Sequence, residues 1–486
     1  MTIKKGEEVT LKIDTLGFQG KAIARIDGVV VFVNDSVPGD TVRAAITKVK
    51  SKYLEARKLE LIEPSDLRIE PRCRYVGACG GCKMQHIEYD AQLSFKHRHV
   101  IDSFERIGGI KDTEIPPPIG ANDIFFYRNK MEFSFSDQRW LTAAEIASGQ
   151  EYDKNFALGL HVPGRYDKVL DIEECWLQSE ESNQILDSIR RAAKDLDIKP
   201  YTTHSHEGFL RFLVIKQSRS TGEIMVNVVT SDNRQDIMQQ VVKRLLKDVP
   251  AVSTIVNNIN RRKAQVAVGD EEIVYHGDGY ITDRIGNYSF RISANSFFQT
   301  NTAQAETLYS VAKEFGELSG DDLVLDLYSG TGTITIYLSD SVKHVYGIES
   351  VEDSVRDANE NAKLNGIGNV SFVKGDVLEK LKKSDEWLDE QPTVLYLDPP
   401  RSGVHPKAIR EILNLRLPKI VYVSCNPTTQ ARDIAALTEH GYRIDRMQPV
   451  DMFPHTYHIE NVVRLTYESS LNYFLPTTIE TTPNVS

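Results

Sequence analysis

The chain has 486 residues, of which 41% are hydrophobic and 26% charged, and its formal net charge at pH 7 is -11. This length predicts two or three domains, and the composition excludes extensive disorder. The start, "MTIKKGEEVTLKID", has no apolar signal core, and no apolar stretch reaches membrane-spanning length; we therefore expect a cytoplasmic protein without membrane contact. Taken alone, the negative charge argues against a polyanionic partner.

Residues 1–62 have the pattern of a small β-barrel. Short alternating runs such as "EVTLKID" and "GVVVFV" are separated by Gly, Asp-Gly and Pro-Gly turns. Within this domain, "TVRAAITKVKSKYLEARKLE" at 41–60 has six basic and two acidic residues. Two interpretations of this stretch are open: a stripe that faces phosphates, or an ordinary solvated strand face.

A cysteine cluster follows the predicted barrel. Cys73, Cys79 and Cys82 form a C-x5-C-x2-C pattern in "CRYVGACGGC", and Cys175 stands far downstream in "DIEECW". Four thiolates suit either tetrahedral zinc or an iron-sulfur cluster, and the pattern alone leaves both open. Disulfides are not expected in a cytosolic setting.

We assign residues 63–290 to a central α+β domain that holds this cluster. A helical stripe ended by Gly-Gly is predicted within about 88–120, and we expect it to dock on the following domain. Further along, strand runs such as "FLVIKQS" and "EIMVNVVT" mix with helical runs such as "SNQILDSIRRAAKDL". This mixture is typical of an α+β arrangement.

One strand-like stretch of the central domain combines aromatic and basic residues. "YRNKMEFSF" interleaves Tyr127, Arg128, Lys130 and Phe133. These residue types stack on splayed bases and pair with phosphates. The alternative is a strand whose alternating aromatics belong to the core.

From 291 to 486, strand and helix patterns alternate. The strand candidates are "LVLDLYS", "HVYGIES", "NVSFVKGD", "TVLYLDPP" and "IVYVSCN". Such alternation indicates a Rossmann-like α/β domain with a doubly wound parallel sheet, in which ligands bind at the carboxyl ends of the strands.

The first of these strands leads into a nucleotide-type loop. Gly330 and Gly332 form a Gly-x-Gly turn, while Thr335 stands where a dinucleotide fingerprint has its third glycine. This favours a smaller nucleoside cofactor over NAD. Glu349 ends the next strand, where a carboxylate can accept hydrogen bonds from ribose, and Asp376 ends the third strand, within reach of an adenine. S-adenosylmethionine is the candidate cofactor.

Three later motifs, "DPPRSG", "SCNP" and "HIENV", follow "FFQTN" and "DLYSGTG" in this order. With them, nearly the whole chain resembles the S-adenosylmethionine-dependent RNA uracil-5-methyltransferases. The stretch "GFQGKAIARIDGVVVFVNDSVPGD" resembles the TRAM domain, an OB-like barrel found on RNA-modifying enzymes. The barrel and the clustered cysteines together point to the 23S ribosomal RNA members. This resemblance implies an RNA-binding monomer and favours a [4Fe-4S] cluster over zinc on the four cysteines.

Methylation of uracil carbon 5 requires a nucleophile and a base, because this carbon is unreactive in the intact ring. A thiolate that adds to carbon 6 activates carbon 5, and a base then removes its proton. Cys425, at the end of a predicted strand and before Asn-Pro, is the predicted nucleophile. The resemblance implies Glu460 as the base and Asp398 as a contact to the uracil edge. A lone cysteine on an apolar strand is usually inert, so the assignment depends on the motifs together.

The resemblance also implies a cofactor-binding set. Its members are Gln299, Tyr328, Thr333, Glu349, Asp376 and Asp398. Two other functions stay open: the same reaction on a tRNA uridine, and a non-catalytic RNA-binding ribosome-assembly factor with a degenerate methyltransferase fold. For either enzyme, the target uridine has to be flipped out of a loop or bulge.

Overall fold

The computed structural model describes residues 3–468, in which three parts follow one another along the chain. The catalytic region predicted from the sequence extends to residue 486, so its last stretch, 469–486, lies outside the described residues. Over the range that is described, no helix is long and apolar enough to cross a membrane.

The first part is a six-stranded barrel, as predicted. Its strands are β1 (Glu8–Lys12), β2 (Thr15–Leu16), β3 (Ala22–Ile26), β4 (Val29–Val33), β5 (Thr41–Val49) and β6 (Tyr53–Glu63). They lie in the order β1-β5-β6-β4-β3-β2. Only residues 13–14 separate β1 from β2. One chain segment therefore pairs with β5 at one end of the sheet and with β3 at the other, which closes the barrel. Alternate residues, among them Ala24, Val31 and Ala44, fill its interior.

A turn-rich segment and a long helix lead out of the barrel. Residues 64–88 carry three of the cysteines, and α1 (Tyr89–Arg106) follows and ends before Gly-Gly. This helix packs against the last part of the chain. Lys96 of α1 is fully buried and donates a hydrogen bond to Asp451 at 2.6 Å. The ion pair thus joins two segments that are distant in sequence.

The second part is an eight-stranded mixed sheet, in agreement with the predicted α+β mixture. Its strands are β7 (Lys130–Ser136), β8 (Arg139–Trp140), β9 (Ala157–Val162), β10 (Arg165–Asp171), β11 (Leu210–Gln217), β12 (Ile224–Thr230), β13 (Thr254–Ile259) and β14 (Glu271–His276). Its helices are α2 (Ala143–Ser148), α3 (Glu180–Asp195) and α4 (Gln235–Asp248). The strand order is β14-β13-β12-β11-β7-β9-β10-β8. The buried faces of α3 and α4 share one core with Cys79 and Cys175.

The third part begins with a hairpin and continues as a seven-stranded sheet. The hairpin is β15 (Tyr280–Ile285) and β16 (Tyr288–Ser293), and the sheet strands are β17 (Leu323–Leu327), β18 (His344–Glu349), β19 (Val370–Lys374), β20 (Val394–Leu397), β21 (Lys419–Ser424), β22 (Tyr442–Val450) and β23 (Glu460–Tyr467). The helices are α5 (Thr302–Gly316), α6 (Thr333–Leu338), α7 (Glu352–Leu364), α8 (Val377–Lys382), α9 (Pro406–Leu415) and α10 (Pro427–Thr438).

The predicted parallel sheet is present, with one antiparallel strand added. The order is β19-β18-β17-β20-β21-β23-β22, and β17 to β21 are parallel. β23 runs antiparallel between β21 and β22, since a hairpin joins it to β22. The register pairs Ser424 with Asn461. The first residue of β23, Glu460, therefore lies beside the carboxyl end of β21.

Candidate active site

The five parallel strands end at one edge of the sheet, and a predicted site residue stands at each end. Tyr328 directly follows β17, Glu349 is the last residue of β18, and Asp376 comes two residues after β19. Asp398 directly follows β20, and Cys425 directly follows β21. In doubly wound sheets this edge is where ligands bind. The structure thus brings the predicted residues to one edge.

The loop after β17 turns tightly into α6. Tyr328, Gly330 and Gly332 all have positive φ angles, of 68°, 55° and 79°. A Cβ at Gly332 would lie 2.6 Å from the ring of Phe372, whereas one at Gly330 would meet nothing within 4 Å. Gly332 is therefore required for packing of the loop, and Gly330 leaves its backbone open to a ligand.

Two carboxylates hold the turns at the neighbouring strand ends. Glu349 accepts hydrogen bonds from the backbone N–H of Gly330 at 3.0 Å and of Val351 at 2.8 Å. Asp376 caps the N-terminus of α8 and accepts from the N–H of Glu379 at 3.2 Å. A carboxylate has about four acceptor positions, so both keep capacity for ribose or adenine groups.

Tyr309 of α5 joins two further residues of the predicted cofactor set. Its buried hydroxyl lies 2.9 Å from Oγ1 of Thr333 and also hydrogen-bonds with Gln299. Burial raises the pKa of Tyr309, which keeps the hydroxyl protonated. No motif in the sequence points to Tyr309, because it stands inside an ordinary helical pattern.

A buried hydroxyl oxygen in this loop has no hydrogen-bond partner within the described part of the chain. It is Oγ of Ser329, which directly follows the predicted cofactor contact Tyr328. Buried polar groups are normally hydrogen-bonded. This hydroxyl therefore fits a loop that receives a polar ligand.

A thiol, two carboxyls and one arginine form the centre of the site. The pKa of Cys425 is raised to about 12, first by burial and then by Glu460 and Asp398, while Arg401 acts to lower it. The pKa of Glu460 is raised to about 8, mainly by burial. Asp398 also raises this pKa, and Arg401 acts to lower it. Burial alone raises the pKa of Asp398 to about 7.

These shifts set the protonation of the site at neutral pH. The raised pKa values favour the protonated forms of Cys425, Glu460 and Asp398 over what an exposed thiol or carboxyl would show. A group whose pKa lies near the working pH can both give and take a proton. The arrangement is suited to acid–base chemistry beside a nucleophile.

Arg401 is the cation of this group, although it was not among the predicted site residues. Its carbonyl accepts hydrogen bonds from Asn426 Nδ2 at 2.9 Å and from Thr429 Oγ1 at 3.2 Å, which joins the loops after β20 and β21. Its Nη2 lies 3.4 Å from Nε2 of His458. Its position in "DPPRSG", three residues after Asp398 in the loop that follows β20, is the signal that could have identified it.

The four cysteines of the other motif line one cavity of about 920 Å³. Burial raises the pKa of each of these thiols, and Cys175 raises the pKa of the other three further. N–H groups point at sulfur in this cavity; for example, the Gly81 amide lies 3.3 Å from Sγ of Cys79, and Gln85 Nε2 lies 3.8 Å from Sγ of Cys82.

The four cysteines do not form a metal-binding geometry in the described part of the chain. Within residues 3–468, no three or more His, Cys, Asp or Glu side chains are arranged as a metal-binding group. The four thiols nevertheless come from two distant segments and face one cavity. This donor set is the one that zinc and iron-sulfur clusters use.

Tyr127 and Phe133 are core residues, so a base-stacking role is wrong for both. Each is buried, and the Tyr127 hydroxyl donates to the carbonyl of Pro454 at 3.0 Å. Arg128 and Lys130, in contrast, line the cavity of the four cysteines. Only the basic half of the predicted RNA-binding pattern is therefore accessible.

The basic stretch at 41–60 is partly neutralised within the barrel. Arg43 pairs with Glu8 at 2.7 Å and with Glu60 at 2.9 Å, and Lys48 pairs with Glu55 at 3.2 Å. The positive charge available to a phosphate on this face is therefore smaller than the sequence count indicates.

Comparisons with known proteins agree with this architecture. The chain matches the family model "tRNA (Uracil-5-)-methyltransferase" over residues 210–468 and the TRAM domain model over residues 3–59. It is 46% identical to an uncharacterized RNA methyltransferase of Chlorobaculum tepidum, over 94% of this chain and 96% of that protein. It is 42% identical to an uncharacterized RNA methyltransferase of Bacteroides thetaiotaomicron, over 92% of this chain and 99% of that protein.

A solved structure shares the fold over nearly the full length. It is the tRNA (uracil-54, C5)-methyltransferase of Pyrococcus abyssi in complex with S-adenosyl-L-homocysteine. The TM-score is 0.72 at 29% identity, and the match covers 94% of this chain and 100% of that one. From these matches and the site at the strand ends, this chain is an RNA methyltransferase with an N-terminal TRAM domain, and it belongs to the tRNA (uracil-5-)-methyltransferase family.

Proposed function

We propose that this chain transfers a methyl group from S-adenosylmethionine to carbon 5 of a uridine in 23S ribosomal RNA, through a covalent bond between Cys425 and the uracil. The family supplies the reaction class. The observation that carries the residue roles is that Asp398 and Arg401 act on the pKa values of both Cys425 and Glu460, and that Glu460 also acts on the pKa of Cys425.

The thiol of Cys425 loses its proton to water, and the thiolate adds to carbon 6 of the flipped uracil. The new sulfur–carbon bond moves the electrons of the C5–C6 double bond onto the oxygen of carbon 4, and the resulting enolate attacks a methyl group through carbon 5. S-adenosylmethionine would supply this group as a methyl sulfonium, and its sulfur would keep the bonding electrons so that S-adenosylhomocysteine leaves. Glu460 then takes the proton from carbon 5, the double bond re-forms, and the thiolate leaves.

Asp398 and Arg401 support these steps at different atoms. Burial raises the pKa of Asp398 to about 7, so its protonated form is available to donate a hydrogen bond to the uracil oxygen that becomes negative. Arg401 lowers the pKa of Cys425 and thereby favours the thiolate that attacks. Arg401 is thus the source of positive charge that the nucleophile requires.

The cofactor is assigned to the cleft beside the loop after β17. The residues proposed to hold it are Gln299, Tyr328, Thr333, Glu349, Asp376 and Asp398. The unpaired hydroxyl of Ser329 and the open backbone at Gly330 support this place. Glu349→Ala should weaken cofactor binding by more than about 10-fold, the loss expected for hydrogen bonds to a charged group. Calorimetry with S-adenosylmethionine measures this, and an unchanged affinity would contradict the assignment.

Two RNA substrates are compatible with the reaction. The TRAM domain together with the four-cysteine motif supports 23S ribosomal RNA. The likeness to the Pyrococcus abyssi tRNA (uracil-54, C5)-methyltransferase favours a tRNA uridine as the second candidate. The non-catalytic alternative is not retained, because the chain belongs to an enzyme family and carries the thiol and both carboxyls.

Mapping of 5-methyluridine in cellular RNA tests the substrate assignment. We expect cells without this chain to lose the modification at one or more positions of 23S ribosomal RNA. A loss confined to tRNA selects the second candidate, and no loss in either RNA contradicts both. In vitro, Cys425→Ala should bind cofactor normally and transfer no methyl group.

We further propose that Cys73, Cys79, Cys82 and Cys175 hold a [4Fe-4S] cluster with a structural role. The donor set fits, and the distant position of Cys175 means that a cluster would join two segments of the second part of the chain. Anaerobic purification should give brown protein with about four iron atoms per chain. Colourless protein with one zinc ion would overturn the assignment.

A further inference from the structure

The loop that leads to Glu460 is in contact with aromatic side chains of the second part of the chain. Residues 451–459 connect β22 with β23. Within this loop, the ring of His455 lies on the ring of Phe125, with centroids 4.5 Å apart. Elsewhere in the loop, Asp451 forms a buried ion pair with Lys96. Phe125 is half-buried and lies between this loop and the exposed Arg72.

A contiguous group of three aromatic rings and one guanidinium, which we call the surface stack, consists of Phe125, Arg72, Trp176 and Phe126. The guanidinium of Arg72 lies 4.8 Å from the ring centroid of Phe125 and 4.5 Å from that of Trp176. The rings of Trp176 and Phe126 follow at 5.7 Å. A continuous series of contacts between aromatic rings and the Arg72 guanidinium therefore connects the loop 451–459 with Phe126. Phe126 is 41% exposed.

The backbone of Phe126 is in a conformation that glycine prefers. Its φ angle is +54°, and a bulky residue in this region is strained by about 1–3 kcal/mol. The conformation is held because the Phe126 N–H donates to the carbonyl of Trp176 at 2.9 Å and because the next residue, Tyr127, is buried in the core. Strain of this kind is concentrated at functional sites.

The charge around the surface stack suits a nucleic acid. Arg72 is exposed and forms cation–π contacts, and no carboxylate in the described part of the chain pairs with it. The nearby carboxylates of Glu173 and Asp123 are paired with Arg74 and Arg219. Glu174, which lines the same small cavity as Arg72, is exposed and remains as a negative charge beside the surface stack. An exposed ring beside an unpaired guanidinium offers a face for a base and a cation for its phosphate.

Two residues of the surface stack are neighbours in sequence of the clustered cysteines. Arg72 directly precedes Cys73, and Trp176 directly follows Cys175. The two segments that carry the four thiols therefore also carry the middle of the surface stack. The outermost ring is left free for a ligand.

We propose that Phe126, backed by Trp176 and Arg72, is the platform on which an unpaired base of the RNA stacks while the target uridine occupies the active site. The inference rests on the proposed function, since it requires an RNA substrate. Flipping of one uridine leaves its neighbours without a stacking partner. Stacking of a base on an aromatic ring compensates for this loss and depends little on sequence.

Phe126→Gly provides the test, because it removes the ring and relieves the strain at once. We expect its thermal midpoint to be at or above that of the wild type, whereas its affinity for RNA falls between about 5-fold and 100-fold, as expected for one base–aromatic stack. Phe126→Trp should retain the affinity. Ile146→Ala, which removes a 67% exposed side chain on α2, is the matched control and should leave affinity unchanged.

Affinity is measured by fluorescence anisotropy with a 23S ribosomal RNA transcript and with oligouridylate, and cofactor affinity by calorimetry. Equal RNA affinity of wild type and Phe126→Gly would overturn the inference, as would an equal loss in Ile146→Ala. Failure of the proposed function gives a different result, because in that case the wild type itself would transfer no methyl group to RNA.

Discussion

Replacement of Lys96 by Met would leave the carboxylate of Asp451 buried without its cation. Both side chains have 0% exposure. Lys96 Nζ donates to Asp451 at 2.6 Å and to the carbonyl of Phe453 at 3.0 Å. Only the Tyr89 hydroxyl at 2.9 Å and the Phe453 N–H at 3.0 Å would still donate to the carboxylate. Breaking a buried pair from one side costs ~3–5 kcal/mol, so we expect the free energy of unfolding to fall by about this amount.

Urea unfolding followed by tryptophan fluorescence measures the loss. Arg98→Met is the matched control on the same helix, because it breaks a 2.7 Å pair with Asp102 whose side chains are 54% and 30% exposed; it should cost less than about 1 kcal/mol. The double change Lys96→Met with Asp451→Leu removes both charges and should recover most of the stability. A loss below about 1 kcal/mol in Lys96→Met would contradict the importance of this pair.

Three further predictions concern the active site. Glu460 acts as a base only when ionised, so with its pKa at about 8 methyl transfer should rise as the pH increases through 8; a rate that is level across that range would contradict its role. Arg401→Gln should raise the pKa of the Cys425 thiol and slow both its alkylation by iodoacetamide and methyl transfer, the latter by about 10-fold per pKa unit; unchanged alkylation would exclude Arg401 as the activating cation. Gly332→Ala should lower the thermal midpoint more than Gly330→Ala, because only its Cβ would lie 2.6 Å from Phe372; equal losses, measured by scanning calorimetry, would show that backbone strain alone is responsible.

The strands that carry the site were predictable because their pattern is local. Apolar runs that end in Tyr328, Glu349 and Asp398 predict buried parallel strands, and β17, β18 and β20 are present there. The order of the strands also follows from general rules for doubly wound sheets. The place of β23 in the sheet could not be predicted from its own pattern, because its antiparallel insertion depends on the hairpin that joins it to β22.

Contacts between distant segments could not be predicted from any local pattern. Lys96 reads as one polar position on a helix, and nothing in the sequence pairs it with Asp451. The same holds for Tyr309, whose role depends on where α5 packs. Arg401 was visible as a motif residue, but its effect on the thiol depends on the loop that carries it.

The alternating pattern of β7 also did not show which of its two faces is buried. The period of two in "YRNKMEFSF" fits a solvated aromatic face as well as a buried one. Helices α3 and α4 share a core with Phe133, and this packing decides the matter. The accessible aromatic residue of this region is Phe126, which the sequence pattern did not single out.

The central claim is a covalent bond between Cys425 and the uracil, and trapping measures it most directly. In RNA that carries 5-fluorouridine at the target position, Glu460 has no proton to remove from carbon 5, so the thiolate cannot leave after methyl transfer. We predict a protein–RNA adduct that survives denaturing electrophoresis, is linked through Cys425 and is absent in Cys425→Ala. Methylated product without any adduct, or an adduct of equal yield in Cys425→Ala, would contradict the account.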